Sequence, residues 1–314
     1  MRRSDASGFS QGWFPPDLRN PRGRVFEGRL TATPGTDVTT ADVTAGTTLS
    51  YTESRGNLIS LPWKPGKWEA FELPRTPAGV YEITRTFLAS SPWAIASGSN
   101  YDVFGFLGPN GPDLELGPAW SSDSARSAAG ALARRNGVRV LARDPSRVFL
   151  GTIRASGTNT IEDSAAKRFA WNMYNRVARS MNVVGPSANH TYTTATWRQF
   201  NADATLQLAY VCGLAQDRVL AETCVATNSS SGNVGGPAGI GVDATNANSA
   251  QLFGGASITS VAAFTGFAKY RGVPGLGYHY LAWLQYSDAI GTTTWYGTGV
   301  GSWTGIAING EVLA

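Results

Sequence analysis

Hydrophobic and polar residues alternate over short distances along much of this chain. Residues 81–84 and 101–106 place apolar side chains at every second position, as half-buried strands do. Glycine, with 37 residues, interrupts many of the apolar runs. Short runs separated by frequent turn signals are typical of sandwiches and barrels. The pattern therefore predicts an all-β fold.

The strand predicted at residues 278–286 is apolar on both of its faces. Side chains alternate between the faces of a strand, so Trp283 is expected on one face and Leu284 on the other. Such a strand must be covered on both sides, and a second copy of the chain would supply the outer cover. We therefore expect an oligomer interface formed by Tyr278, Tyr280, Leu281, Trp283, Leu284 and Tyr286.

One short helix is predicted near the middle of the chain. Ser122 or Asp123 can cap its start, residues 125–134 are rich in helix formers, and Gly137 suits its end. The segment 162–178 fits both helical and alternating spacing, and we interpret it as a brief turn leading into a strand.

Three further local features are predicted from turn residues and composition. Residues 64–67 and 144–146 contain proline flanked by polar residues or glycine, which predicts hairpin turns. Residues 228–250 are rich in Gly, Ser and Asn, which predicts a long loop, either functional or wrapped around its domain.

The chain is expected to contain an arm and two domains. Its 314 residues exceed the usual size of one hydrophobic core. Residues 1–24 lack periodicity and contain consecutive prolines, which cannot donate backbone hydrogen bonds. Charge density falls after Gly185-Pro186, which predicts a boundary between a β-sandwich-like domain at 25–185 and a second β-domain at 186–314.

The arm carries the aromatic residues Phe9, Trp13 and Phe14. Aromatic side chains on an irregular segment need a surface to lie against. They either fold back onto their own domain or attach the chain to another protein.

Charge and hydropathy exclude two classes of partner from the expected function. Basic residues are scattered and mostly arginine, whereas nucleic-acid binders cluster them with aromatics, so no nucleic-acid partner is expected. No run of about 18 apolar residues occurs, so no membrane insertion is expected. The N-terminus lacks the apolar core of a signal peptide, which predicts a soluble chain that standard export does not handle.

The two cysteines, Cys212 and Cys224, are too few for a disulfide framework. They would face each other if the chain formed a hairpin near residues 216–218. Two reduced, buried thiols are the expected arrangement, because unpaired cysteine is often buried. A disulfide bridge is the alternative.

Catalytic chemistry is not indicated by the sequence. His190 and His279 are isolated, and a lone histidine on a strand is usually a hydrogen-bonded structural residue. The carboxylate pairs Asp113 with Glu115 and Glu162 with Asp163 are candidates for glycoside cleavage, which needs two carboxylates at a set separation. Such pairs are more often ordinary surface residues, so we expect no enzyme activity, cofactor or metal.

Most tryptophans are expected in the core. Trp295, Tyr296 and Trp303 lie beside glycines near the end of the sequence and are the candidates for a surface role.

Several segments of the first domain together carry a resemblance. They are residues 29–31, 38–44, 101–104 and 114–123, the run Phe149-Leu150-Gly151-Thr152-Ile153-Arg154, and residues 162–177 with Phe169-Ala170-Trp171-Asn172. This set resembles a module of tailed-bacteriophage virion proteins, where it is often joined to fibre-like or collagen-like stalks.

Residues 277–284 and 305–310 carry a second resemblance. They are similar to trimeric jelly-roll heads of the complement and tumour-necrosis-factor type, which serve as tips of phage fibres. The likeness implies a C-terminal jelly-roll β-sandwich and a homotrimer. The chain has no Gly-X-Y repeat and no heptad run, so a compact knob is expected instead of a long fibre.

Together these resemblances imply a non-enzymatic structural protein of the virion, with a tail-fibre or receptor-binding role. The arm would attach it to other virion proteins of the tail or capsid. Trp295, Tyr296 and Trp303 would contact a glycan or protein of the host surface. A capsid decoration protein is the alternative, and a depolymerase of surface polysaccharide is a less favoured one.

Overall fold

β-strands dominate the computed structural model, which describes residues 23–64, 66–231, 236–254, 264–299 and 305–314. The strands of the first half are β1 (Gly28–Thr31), β2 (Val43–Gly46), β3 (Thr48–Glu53), β4 (Leu58–Lys64), β5 (Lys67–Glu72), β6 (Glu82–Thr86), β7 (Asn100–Gly108), β8 (Gly111–Ala119), β9 (Leu132–Arg135), β10 (Val138–Leu141), β11 (Asp144–Gly157), β12 (Thr160–Asp163), β13 (Lys167–Arg168) and β14 (Ala170–Asn172). Those of the second half are β15 (Ala178–Val184), β16 (His190–Tyr192), β17 (Arg198–Gln199), β18 (Gln207–Cys212), β19 (Val219–Ser229), β20 (Ala238–Val242), β21 (Leu252–Gly254), β22 (Phe264–Gly272), β23 (Gly277–Gln285), β24 (Thr293–Trp295) and β25 (Ala307–Leu313). Within these ranges the helical residues are two short 3-10 turns, Ala128–Gly130 and Phe200–Ala202. The predicted all-β fold is confirmed.

The described strands form four sheets. The largest follows the order β17-β23-β18-β13-β12-β11-β10-β9, with β7 and β14 paired to β11, β8 to β7, β2 to β12 and β20 to β23. A second sheet contains β15-β25-β19-β22-β21, with β16 and β24 attached. A third consists of β1-β3-β6, and β4 and β5 form a separate hairpin.

Two clusters of buried apolar side chains support these sheets. One contains residues of the second half such as Leu208 and Trp283, together with Phe149 and Trp171 from the first half. The other is built from residues of the first half, among them Ile59. Burying apolar surface is the main favourable contribution to folding, at about 25 cal/mol per Å². The first cluster therefore draws its stability from both halves.

Shared sheets join the two halves of the chain. β15, just before Gly185-Pro186, pairs antiparallel with β25 over its whole length, from Ala178 opposite Leu313 to Val184 opposite Ala307. β13 also pairs in parallel with β18. The boundary predicted at Gly185-Pro186 therefore does not coincide with a break in the sheets.

The helix predicted after Ser122 is wrong. Leu132–Arg135 forms β9, which pairs with β10 across the two-residue turn Asn136-Gly137. Both turn residues have positive φ, 53° and 87°, as the tight turns that join twisted hairpins require. Helix propensity is a weak preference that tertiary pairing overrides, and here the turn and the strand pairing decide the structure.

The other local predictions in this half are confirmed in part. β4 and β5 form a hairpin that closes at Lys64 opposite Lys67, as predicted. β10 and β11 form the second predicted hairpin, but it closes at Leu141 opposite Asp144, so its turn is at residues 142–143 and the predicted turn residues 144–146 begin β11. The ambiguous segment starts at the end of β12, bends at residues 164–166 and continues into β13 and β14.

The cysteines are unpaired, as expected, but they differ in exposure. Cys212 is buried at the end of β18, whereas Cys224 in β19 is exposed, so the expectation of two buried thiols is corrected. β18 and β19 belong to different sheets, which removes the hairpin that would have brought the thiols together. Burial raises the pKa of the Cys212 thiol to about 12, so it stays protonated and unreactive at neutral pH.

Candidate functional site

The strand predicted to form an oligomer interface lies inside the molecule. β23 is hydrogen-bonded to β17, β18 and β20. Leu281, Trp283 and Leu284 are each 0% exposed in a single chain. The Trp283 ring stacks on Phe200 with centroids 4.1 Å apart. The interface expected at these three residues is therefore corrected to a core position, and the strand gives no physical argument for association.

One of the strands paired with β23 comes from a segment expected to be a loop. β20 lies within residues 228–250 and pairs with β23 from Ala238 opposite Gln285 to Val242 opposite Leu281. The long-loop expectation is therefore corrected for Ala238–Val242. A glycine is needed at the end of this strand, because a side chain on Gly241 would collide with the carbonyl of Ala244.

The three tyrosines of the same strand region are half-buried. The Arg154 guanidinium lies 3.6 Å from the centroid of the Tyr278 ring. Tyr280 lies beside Tyr278, and Tyr286 packs against Trp197 with centroids 5.3 Å apart. Each ring has an aromatic or cationic neighbour in its own chain.

The residues expected to recognise the host surface also differ in how deeply they are buried. Trp295 is 0% exposed and packs edge-on against Phe200, 5.5 Å between centroids. Its expected surface role is corrected to a core role, whereas Tyr296 is half-buried. The third recognition candidate, Trp303, lies outside the described residues, as do Phe9, Trp13 and Phe14, the residues expected to attach the chain to the virion.

Basic side chains neutralise the candidate carboxylate pairs. Every one of the four carboxylates forms an ion pair, an arrangement typical of structural contacts and unlike a pair of groups held open for acid–base chemistry. The partners are Arg85 for Asp113, Arg147 for Glu115, Lys167 for Glu162, and both Arg168 and Arg179 for Asp163.

Both histidines make the hydrogen bonds expected of structural residues. The Nδ1 atom of His279 lies 2.7 Å from a carboxylate oxygen of Asp243. The Nε2 atom of His190 lies 2.7 Å from the side-chain oxygen of Gln285. Burial lowers the pKa of His190; the hydrogen bond to Gln285 opposes this shift, and the charge of Arg198 adds to it.

We expect the free energy of unfolding to fall as the pH drops from about 7 to about 5. The unfolded chain binds a proton at His190 near the ordinary pKa of about 6.5, whereas the folded chain resists it. This contribution is present above the unfolded pKa and is lost as the pH falls through the folded one. Urea unfolding at both pH values measures the loss, which should be smaller in His190→Gln. Equal losses in the two proteins would exclude His190 as the linked group.

A groove between two hairpins is a candidate binding site in the described part of the chain. The β4–β5 hairpin forms one wall, and the β9–β10 turn together with the start of β11 forms the other. The groove has a volume of about 510 Å³ and is lined by Pro62, Trp63, Lys64, Gly66, Trp68, Arg135, Asn136, Asp144, Pro145 and Ser146. Small-molecule sites commonly occupy roughly 300–1,000 Å³. We call it the Trp63 groove.

A bulge in β4 turns Trp63 towards the open side of this groove. The pairing of β4 with β5 shifts register between Pro62 and Lys64, which leaves Trp63 as the extra residue. Bulges of this kind redirect a side chain. The Trp63 residue is 44% exposed, and the Lys64 ammonium lies 4.3 Å from its ring centroid. Trp68 is held more firmly, with the Arg24 guanidinium 4.3 Å from its ring.

The facing wall presents polar groups that local hydrogen bonds hold in place. The carboxylate of Asp144 accepts hydrogen bonds from the backbone nitrogen and the hydroxyl of Ser146, at 3.0 and 2.6 Å. These bonds hold the pKa of Asp144 below its usual value, with the nearby charges of Arg147 and Arg143 adding to the shift. The side chain is ionised at neutral pH and 44% exposed.

Positive charge exceeds negative charge around the Trp63 groove. Lys64 and Arg135 are exposed on its lining, and Asp144 is the acidic residue among the lining residues. The site thus combines a flat apolar ring, an acceptor carboxylate and two cationic donors. It can bind a small ligand that has an apolar face, hydroxyl groups and a negative charge.

The groove is not predicted from the sequence, although two local signals point to its walls. Residues 64–67 indicate a turn, but the tryptophans beside it are expected in the core. The Asn136-Gly137 dipeptide is a strong hairpin signal, but it also fits the end of a helix. Neither signal shows that the two hairpins face each other, since that depends on the sheet that connects them.

No helix among the described residues is long and apolar enough to cross a membrane. The same ranges contain no group of three or more His, Cys, Asp or Glu residues arranged to hold a metal ion. No protein-family model matches the chain, and no match is found among curated proteins or solved structures. Its function is therefore inferred from its own residues and their arrangement.

Proposed function

We propose that this chain is a non-enzymatic structural protein on the surface of a tailed-bacteriophage virion, with a tail-fibre or receptor-binding role. One observation carries the proposal: the separate segments that resemble the virion module meet in space. β1, β7, β8, β11, β12 and β14 contain most of these segments, and side-chain hydrogen bonds tie distant ones together. A chance resemblance of unrelated stretches would not require such convergence.

Asn172 makes the clearest of these links. Its side-chain oxygen accepts a hydrogen bond of 2.6 Å from the Leu30 backbone nitrogen, and its nitrogen donates one of 3.1 Å to the Leu30 carbonyl. The two residues are 142 positions apart. The backbone nitrogen of Ala165 likewise donates to the side chain of Asp42, 2.7 Å away. Both links join residues of the resembling segments or of the strands beside them.

A second link crosses the centre of the module. The hydroxyl of Thr152 in β11 donates to the Asp102 carboxylate in β7 at 2.7 Å, and both residues are buried. Phe104 and Phe149, on the same two strands, have centroids 6.1 Å apart. Buried polar groups that are fully paired favour one packing arrangement over others. A virion surface protein needs this rigidity, because it must keep its shape on an exposed particle.

Oligomeric state is a separate part of the proposal, and the jelly-roll resemblance supports a homotrimer. Sedimentation at micromolar concentration should then give a species of three times the chain mass of 33.2 kDa. Because the centre of β23 is covered, the trimer would associate through other surfaces. A species of one chain mass under these conditions would overturn the trimer.

The experiment that tests the proposed function is labelling of purified phage particles from a host that expresses the chain. Gold-labelled antibody should mark the tail or its tip, whereas marking of the head would favour a decoration protein. A variant without residues 1–24 should fail to assemble onto particles if the arm attaches the chain. Particles free of the protein by label and by mass spectrometry would refute the virion role.

A further inference from the structure

We propose that the Trp63 groove binds an acidic saccharide, meaning a short oligosaccharide that carries a carboxylate or a phosphate. The biological meaning of this ligand rests on the proposed function, because a receptor-binding protein needs a ligand on the host surface. The chemistry of the site is argued from the groove alone.

The shape of the groove fits one short carbohydrate chain better than a folded partner. Its volume of about 510 Å³ lies within the range of small-molecule sites. A stable protein interface buries about 1,600 Å² in total over a broad surface, which a groove of this size does not offer. The volume instead suits a short oligosaccharide lying between the two hairpins.

The exposed ring of Trp63 suits the apolar face of a sugar. A pyranose presents a row of C–H groups on one face, and these carry slight positive charge. The face of an aromatic ring is slightly negative, so the two surfaces attract when they stack. The bulge in β4 leaves Trp63 44% exposed. This exposure makes the Trp63 ring the surface on which the sugar stacks. The other tryptophan of the groove, Trp68, contacts the guanidinium of Arg24.

The facing wall suits the hydroxyl groups of the same ligand. An ionised carboxylate accepts hydrogen bonds only, so Asp144 selects donors such as sugar hydroxyls. Its orientation is fixed by the two bonds from Ser146, so little order has to be gained on binding. Charge-assisted bonds of this kind are stronger than those between neutral groups.

The excess of positive charge indicates an anionic ligand. Lys64 and Arg135 are both exposed on the groove. The forked guanidinium of arginine matches the geometry of a carboxylate or phosphate. Single-stranded nucleic acid also combines flat rings with phosphate, but it stacks successive bases on several aromatic residues. The lining of this groove contains two tryptophans, of which Trp63 is exposed and Trp68 is half-buried, so it offers one open ring instead of a series.

The test measures quenching of tryptophan fluorescence in the full-length protein. The probes are a polygalacturonic acid fragment, a glycosylated glycerol-phosphate polymer, neutral maltotetraose and a short oligothymidylate. We expect saturable binding of an acidic carbohydrate, and the first two probes distinguish carboxylate from phosphate. Binding should weaken when NaCl rises from about 0.02 M to about 0.5 M. Equal binding of maltotetraose, or tighter binding of oligothymidylate, would overturn the proposal.

Variants then locate the site. Trp63→Ala and Arg135→Ala should each weaken binding at least about tenfold, measured by calorimetry. Leu252→Ala is the matched control, since Leu252 is an exposed apolar residue in β21, outside the groove. Unchanged affinity in both groove variants would refute the assignment. Saccharide binding by a protein missing from virions would refute only the virion role, and virion labelling without saccharide binding would refute only the groove.

Discussion

Replacing Arg126 by methionine is expected to lower the free energy of unfolding by about 3–5 kcal/mol, because it leaves a buried carboxylate without its partner. The Arg126 Nε atom lies 2.5 Å from one oxygen of Asp102, and its Nη2 atom lies 3.1 Å from the other. Nη2 also donates to the Gly213 carbonyl at 2.8 Å. Arg126 thus joins the two halves of the chain. Urea unfolding at pH 7 measures the effect.

Two control variants distinguish the effect of breaking the buried ion pair from the effect of losing a positive charge. Lys269 and Glu222 form an ion pair of 3.4 Å with both side chains more than half exposed, so Lys269→Met should cost about 1 kcal/mol or less. The double variant Arg126→Met with Asp102→Asn removes the unpaired charge and should be more stable than Arg126→Met alone. If Arg126→Met costs no more than Lys269→Met, the buried pair does not stabilise the fold.

Acidification should partly rescue Arg126→Met. Burial raises the pKa of Asp102, and Arg126 opposes this rise through its hydrogen bond and its charge. Without Arg126 the folded pKa rises further above the unfolded value of about 4. A raised folded pKa means that the folded chain binds more protons, so stability increases as the pH falls. The deficit relative to the natural protein should therefore be smaller near pH 4.5 than at pH 7.

Trp283→Ala is expected to lower the free energy of unfolding by a similar amount, about 3–5 kcal/mol. The ring is fully buried, stacks on Phe200 and lies close to Gly185. Removing it leaves a cavity that the sheets around β23 cannot close without breaking their register. Trp63→Ala removes the same atoms from a residue that is 44% exposed, and should cost about 1 kcal/mol or less. Chemical denaturation of both variants gives the comparison.

The same variant distinguishes a core residue from an interface residue. If β23 formed an oligomer interface, Trp283→Ala would dissociate the oligomer and leave the stability of the isolated chain nearly unchanged. The buried position predicts the opposite: a less stable chain whose remaining folded fraction keeps its oligomeric state. Sedimentation and denaturation of one sample decide between these outcomes. A loss of association without a loss of stability would contradict the core assignment.

Sequence patterns predicted the parts of this fold that depend on neighbouring residues. Alternation predicts β7, a run that is apolar on both faces predicts β23, and turn residues predict the hairpin that closes at Lys64–Lys67. The second hairpin is also predicted, but with its turn at residues 144–146 instead of 142–143. These features are local, because period and turn chemistry act over a few residues. The helix prediction after Ser122 is wrong for a local reason too, since the Asn136-Gly137 turn favours a hairpin over the helix propensity of a run of alanine and arginine.

Features that depend on contacts between residues far apart in the chain cannot be predicted from local sequence patterns. An apolar strand such as β23 needs cover on both faces, but the pattern cannot say whether that cover comes from the same chain or from a second copy. The exposure of Trp63 and the burial of Trp295 follow from sheet connections that span the whole chain. The candidate site was missed for the same reason, because its walls come from hairpins about 70 residues apart in the chain.

The position of β25 between β15 and β19 has a consequence for synthesis on the ribosome. Translation delivers this strand after every other described one, so its two neighbours emerge much earlier and wait with unpaired backbone groups. Exposed edges of this kind recruit strands from other molecules. A nascent chain is therefore most prone to aggregate between completion of β19 and release of residue 313. A stop codon anywhere in that interval would yield an aggregation-prone fragment with unpaired strand edges instead of a smaller folded protein.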